Sequence, residues 1–319
     1  MKIINIFIAI ILATCSVSVG AKAPPPGSGS ADVPANILIM LDTSGSMNEK
    51  TNQSKLFEMP TGVCNDSKGN VYVVEERRHK VVKFDSDGAM IKVFGGRRGN
   101  GNGQLYYPFH CVVDKDDNLY VSDYANNRGQ KFDSDGNWKQ NYTNAPYASG
   151  IAVDDDGNVY LGLRSRAKIR KYSNNGTYLL EWSSGSSPYG ISIHNNIVYV
   201  VNMWTSNQKI KRFDTNGTAL ASITPQGGSY LASLTVNDNG IYLTHTFAHF
   251  IDRYTIDGAF IKRTGTQGSG PGQFKYVWDI SADSDGNIWA TDWHNHRVNK
   301  FTKDLVFISG LNGSSNSRL

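Results

Sequence analysis

The chain has 319 residues, 39% apolar, 11% aromatic and 19% charged, with 32 glycines and 10 prolines. That composition can bury a core and excludes collagen-like, coiled-coil and disordered chains. The net charge of +4 arises from 32 basic and 28 acidic side chains spread along the sequence. The densest basic stretch, Arg77, Arg78, His79 and Lys80 with Arg97 and Arg98, is therefore expected to be solvated loop charge and not a nucleic-acid footprint.

Residues 1–21 have the pattern of a secretory signal: Lys2, an apolar run from Ile3 to Ala13 interrupted by Asn5, then small residues up to Ala21. The run is too short for a bilayer, which takes about 20 residues. Thr14 before Cys15 departs from a lipoprotein box. A secreted, periplasmic or cell-surface location is expected. Cleavage would leave two cysteines, Cys64 and Cys111, each in an apolar segment (GVCN and HCVV) where a buried, inert thiol is the expected state. Residues 22–35, rich in Pro, Gly and Ser, form a linker.

Residues 36–50, NILIMLDTSGSMNEK, place Asp42, Ser44 and Ser46 at the end of an apolar strand. This DxSxS pattern closely resembles the first strand and metal-ion-dependent adhesion motif of the von Willebrand factor A domain. The resemblance implies that the three side chains donate oxygens to Mg²⁺, a hard cation that keeps open positions for a partner carboxylate. Such a domain needs many more α/β units, so the motif is a partial one.

From residue 55 to 310 the chain repeats with a period near 43. Tyr72, Tyr120, Tyr160, Tyr199, Tyr242 and Trp289 stand at spacings of 48, 40, 39, 43 and 47, each in a short apolar run. A second aromatic follows at Phe84, Phe132, Tyr172, Phe213, Tyr254 and Phe301. In the first five copies a glycine follows four residues later, in DSDG, DSDG, SNNG, DTNG and TIDG. These are hairpin turns, because glycine enters positive φ without a Cβ penalty. With one strand before and one after each pair, a repeat contains four alternating strands and no amphipathic helix. The fold class is all-β, a six-bladed β-propeller of four-stranded antiparallel blades.

The segment GNIWATDWHNHRVNKF, with Asp292, Asn295, His296 and Arg297, resembles the NHL repeat, as does DNLYVSDYANNRGQKF with Asp123, Asn127 and Arg128. The Gly-rich connectors ending at Gly103, Gln104, Leu105 and at Gly272, Gln273, Phe274 are similar to that family's. Copies three to five have Leu163, Asn202 and His245 where the others have Glu75, Asp123 and Asp292. These carboxylates are expected to organise the turn after the second strand by accepting backbone N–H bonds. Residues 311–319 look like a linker and a restart of the von Willebrand A domain. The propeller would then be inserted in that domain and the chain would continue past residue 319.

Two functional expectations follow. One is a secreted or surface binding and adhesion protein that meets an extracellular protein or glycan through Trp204, His249, Trp278, Trp293 and His294, residue types that dominate interfaces. The other is a propeller enzyme, a metal-dependent lyase or lactonase-like hydrolase, which would need His or carboxylate ligands converging from several blades. His110, His194, His245 and His294 come from four copies at differing offsets, so a scattered set is expected. Nucleic acid is not expected as a partner. The oligomeric state is left open.

Overall fold

The computed structural model describes residues 56–204, 208–227 and 230–313. The expected signal, linker and DxSxS motif, with Asp42, Ser44 and Ser46, lie outside them, as do residues 314–319.

Twenty-four strands among the described residues form six separate four-stranded antiparallel sheets, each built from consecutive strands. The first strands of the six blades are Gly62–Asn65, Pro108–Val113, Ala148–Val153, Pro188–His194, Leu231–Asn237 and Val277–Ala282. They pack side by side in a closed ring around an axis, the sixth against the first. No strand is exchanged between blades to close it. Instead Val63 N–H donates to Asp279 Oδ2 at 2.8 Å, Ser281 Oγ donates to Asn65 Oδ1 at 2.6 Å, and the Leu56 N–H bonds the Gly313 carbonyl. The last strand, Phe307–Asn312, runs two residues past the expected boundary at 310, and Leu311 packs into the seam with blade one.

The core is divided among the blade interfaces. Six apolar clusters each join two neighbouring blades; in one, Tyr72, Val74 and Phe94 of blade one meet Leu119, Val121 and Phe132 of blade two. A strand of alternating side chains covers both faces of a blade only when a neighbour lies on each side, which is why the repeat must close. The aromatic on each second strand is buried. Four of these also hydrogen-bond an aspartate in the turn that precedes them, as Tyr120 Oη does to Asp114 and Tyr160 Oη to Asp154, both at 2.8 Å.

The hairpin glycines take positive φ as the repeat requires, between 82° and 93° at Gly88, Gly136, Gly176, Gly217 and Gly258. At Gly217 a Cβ would also come within 2.7 Å of the Trp182 ring. In blade six Leu305 takes this place at φ 56°, buried in the seam with blade five.

The cysteines correct the sequence expectation. Cys64 and Cys111 are disulfide-bonded, with their Cα atoms 5.8 Å apart. The bond joins the first strands of blades one and two. Each cysteine lies in its own apolar segment, but their separation of 47 residues nearly equals one repeat. Cys64 stands opposite Tyr72 and Cys111 opposite Val121, one residue apart in the repeat, so the period brings the two adjacent first strands' cysteines close without placing them at equivalent positions.

Candidate binding face

The carboxylates after the second strand are fully buried, and they do more than organise a local turn. Asp123 accepts from the Tyr106 N–H (2.7 Å), Asn126 Nδ2 (2.8 Å), Arg128 Nε (2.8 Å) and Gln130 Nε2 (3.0 Å). Arg128 then donates to the carbonyls of Asn100, Gly101 and Gln104 in the Gly-rich connector. Blade six repeats this: Asp292 binds Lys275 N–H, Asn295 and Arg297, while Arg297 binds the Ser269, Gly270 and Gln273 carbonyls. Burial pushes both carboxyls above the usual range, partly offset by these donors. In blade five His245 and Asp252 replace this arrangement, with Nε2 3.1 Å from Oδ2 and Arg263 on the same carboxylate.

The short turn after the second strand of blades one, two, three, five and six, helical in all but the first, ends in a residue of left-handed conformation: His79, Asn127, Ala167, His249 and His296. Four of them accept the backbone N–H of a residue in the next blade's approach segment. His79 Nδ1 takes Tyr107, Asn127 Oδ1 takes Tyr147, His249 Nδ1 takes Tyr276 and His296 Nδ1 takes Met59, at 2.9–3.2 Å. The bonded residues are themselves left-handed, with φ of 50°, 52°, 70° and 50° for Tyr107, Tyr147, Tyr276 and Met59. An aromatic residue rarely adopts that conformation, and such strain persists where the surroundings over-determine it. Here it turns a tyrosine toward one end of the propeller just before the first strand of blades two, three and six. Tyr230, at φ 64°, stands likewise before blade five.

The result is a continuous chain of rings around that end. Trp204 meets Tyr230 (centroids 5.2 Å), Tyr230 meets Phe247 (4.7 Å), Phe247 meets Tyr276 (5.4 Å) and Tyr276 meets His294 (4.9 Å). Trp293 lies tilted against His294 and Trp278 (5.4 Å), Trp278 meets Phe109 (6.1 Å), and Phe109 reaches both Tyr124 (6.0 Å) and Tyr189 (5.7 Å). Trp204 Nε1 donates to Tyr189 Oη at 3.0 Å, which closes the circuit. Trp204 is 52% and Phe247 40% exposed, whereas Phe109, Tyr189, Met203 and Ala232 form a buried floor.

Arg164 lies over the Tyr189 ring at 4.5 Å and the Tyr124 ring at 6.0 Å. The half-buried Glu76 has Arg77 and Arg164 as its charged neighbours; burial raises its carboxyl above the usual range and the two guanidiniums pull it partly back. Burial, Lys275 and Arg77 lower the His294 imidazole, against a smaller opposing effect of Asp292. Blades one to six thus all contribute to one aromatic cup with an excess of positive charge.

Of the residues expected from sequence, Trp204, Trp278, Trp293 and His294 come together in this cup. His249 borders it, but its Nδ1 is occupied by the Tyr276 N–H. Sequence reasoning missed Tyr124, Arg164, Tyr189, Tyr230, Phe247 and Tyr276. A signal was present: a tyrosine stands immediately before the first strand of blades two, three, five and six. The basic stretch splits between roles, since Lys80 pairs with Glu75, Arg98 with the Tyr106 hydroxyl, and His79 is a blade latch.

The axial channel is a second concavity, of about 260 Å³. In it Asp279 accepts from Ser233 Oγ at 2.5 Å and faces His110 Nε2 at 3.7 Å. His194 lies beside Asp238 and His245 beside Asp252, so the four histidines occupy four separate environments. Among the described residues no three His, Cys, Asp or Glu side chains group as a metal site. No helix among them is long and apolar enough to cross a membrane.

The fold and repeats define a propeller that carries NHL repeats. The NHL repeat model matches residues 57–84 and 274–301, within blades one and six. More particularly, the chain is similar to human NHL repeat-containing protein 3, with 26% identity over 48% of this chain and 51% of that protein. It thus spans about half the length of that relative. Among solved structures it is similar to virginiamycin B lyase from Staphylococcus aureus (TM-score 0.57, 19% identity, 81% of this chain and 85% of that one). It is also similar to a protein of unknown function from Bacteroides caccae (TM-score 0.61, 16% identity, 76% and 93%). At these identities the likeness is one of fold.

Proposed function

We propose that this protein is an exported binding and adhesion protein whose aromatic cup takes an extracellular protein or glycan. The observation that carries the reading is the ring of aromatic side chains drawn from blades two, four, five and six, several of them exposed and two, Tyr230 and Tyr276, held on left-handed backbone. Large rigid rings give contact area at low entropic cost. The signal-like residues 1–21 and the Cys64–Cys111 disulfide support an oxidising location outside the cytoplasm. Asp42, Ser44 and Ser46 would add a Mg²⁺-dependent contact once the remaining donors of a von Willebrand A domain are supplied. An inserted propeller needs adjacent ends, and Leu56 and Gly313 are hydrogen-bonded to each other.

The test is to probe the secreted protein against glycan and extracellular-protein arrays, alongside Trp204→Ala and Trp278→Ala variants. Ligands that lose at least tenfold in signal with both variants support the reading. Ligands indifferent to both, or no ligand at all, overturn it.

A second reading, a propeller enzyme of the lyase or hydrolase kind, is favoured by one feature. Glu76 is a half-buried carboxyl at the concave end whose burial raises it above the usual range while the charges of Arg77 and Arg164 pull it partly back, the environment of a general acid or base. Glu76→Gln would then abolish turnover of a bound ligand while leaving its binding intact.

A further inference from the structure

We propose that the cup is selective for an acidic sugar, a uronate unit of an anionic oligosaccharide; this rests on the reading of that end as a binding face. The arginines give the first reason. Arg128, Arg170, Arg253, Arg263 and Arg297 all direct their N–H groups at carbonyls or carboxylates. Arg164 and Arg77 do not: among the described residues nothing hydrogen-bonds either guanidinium, although Arg164 is held in place by the Tyr189 and Tyr124 rings. A guanidinium presents a rigid planar fork of donors that matches a carboxylate two bonds at a time. Fixed by stacking with its donors unused, Arg164 is prepared for such a partner.

Glu76 gives the second reason. Its half-buried carboxyl likewise receives no hydrogen bond among the described residues. A ligand that brought only carboxylates would place negative charge beside it and give it no donor. A uronate brings both complements in one ring: a carboxylate for Arg164 or Arg77 and hydroxyl donors for Glu76. The third complement is the flat C–H face of a pyranose, which lies on aromatic rings such as Tyr124, Trp278 and Trp293. Exposed Lys275 adds to the positive excess near Trp293 and His294.

Intrinsic fluorescence reports on this site through Trp204, Trp278 and Trp293. The full chain should be titrated with hexagalacturonate, hexamannuronate, the neutral hexamer of β-1,4-galactose and hexaglutamate. At least one uronate hexamer is expected to bind at least tenfold more tightly than the neutral sugar. Arg164→Gln should remove most of that preference and Arg164→Lys should not restore it, because an ammonium lacks the fork. Unchanged thermal midpoints in both variants establish that the fold is intact. Equal affinity for the neutral hexamer, full uronate affinity in Arg164→Gln, or tighter binding of hexaglutamate overturns the proposal. If no uronate hexamer binds while array ligands still depend on Trp204 and Trp278, the ligand class is wrong and the binding face stands. If both fail, both readings fall.

Discussion

The two arginines of the NHL-like segments show how much one side chain can organise. Arg297 reaches from Asp292 to three carbonyls of the connector, so it neutralises a buried charge and satisfies backbone that no strand pairs. Removing one partner of a buried pair leaves the other uncompensated, at about 3–5 kcal/mol. Arg297→Met should lower the unfolding free energy by that order in a urea titration, with connector proteolysis between Gly268 and Gln273 appearing well below the midpoint. The Asp-to-Arg spacing was visible in sequence. The carbonyls at the far end of the guanidinium were not, because a backbone acceptor leaves no trace in residue identity.

At the level of the element, the unit of construction is the latch between one blade's helical turn and the next blade's approach segment. Three of the four latch acceptors are histidine Nδ1 atoms, which serve only while unprotonated. Burial lowers the imidazoles of His79 and His249, with Arg98 adding to the effect at His79; the Glu76 carbonyl and Asp123 oppose it there, and Asp292 opposes it at His249. His245 and His294 are lowered as well, again first by burial. A depressed folded-state pKa means that the unfolded chain takes up the proton first. Stability is therefore full above the ordinary imidazole value of about 6.5 and declines as pH falls below it toward the folded values. Thermal unfolding between pH 7.5 and 5 should show that decline. His79→Asn with His249→Asn should make it shallower, since blade two already uses Asn127 at the same latch. The strands and hairpins were legible because alternation and glycine follow a short period. The latches were not, because each depends on a left-handed residue, a tyrosine in three cases and Met59 in the fourth, whose φ no residue type announces.

For the whole molecule, the repeat settled the number of blades and their order, and six-fold closure followed from the need to cover every blade on both sides. The binding face was only partly legible. Its tryptophans stand out as residue types, but Tyr124, Arg164 and Tyr189 come from three blades and meet only after the ring has closed. Evenly spread charge in the sequence likewise hid a local excess, since Arg77, Arg164 and Lys275 are far apart along the chain and share one end of the fold.

The disulfide acquires a mechanical meaning when the ends of the ring are considered. Leu56 and Gly313 meet at the seam between blades six and one, so tension applied through the two ends is taken up by the hydrogen bonds there. One step further in, Cys64 and Cys111 shield the 47-residue separation between them from extension. Stretched singly by force spectroscopy, the propeller should lose blades from the blade-six side. Reduction should lengthen the fully extended chain by roughly 160 Å, at about 3.3–3.6 Å per residue. An oxidised propeller would thus hold back a fixed reserve of length, released under load only when the surroundings turn reducing.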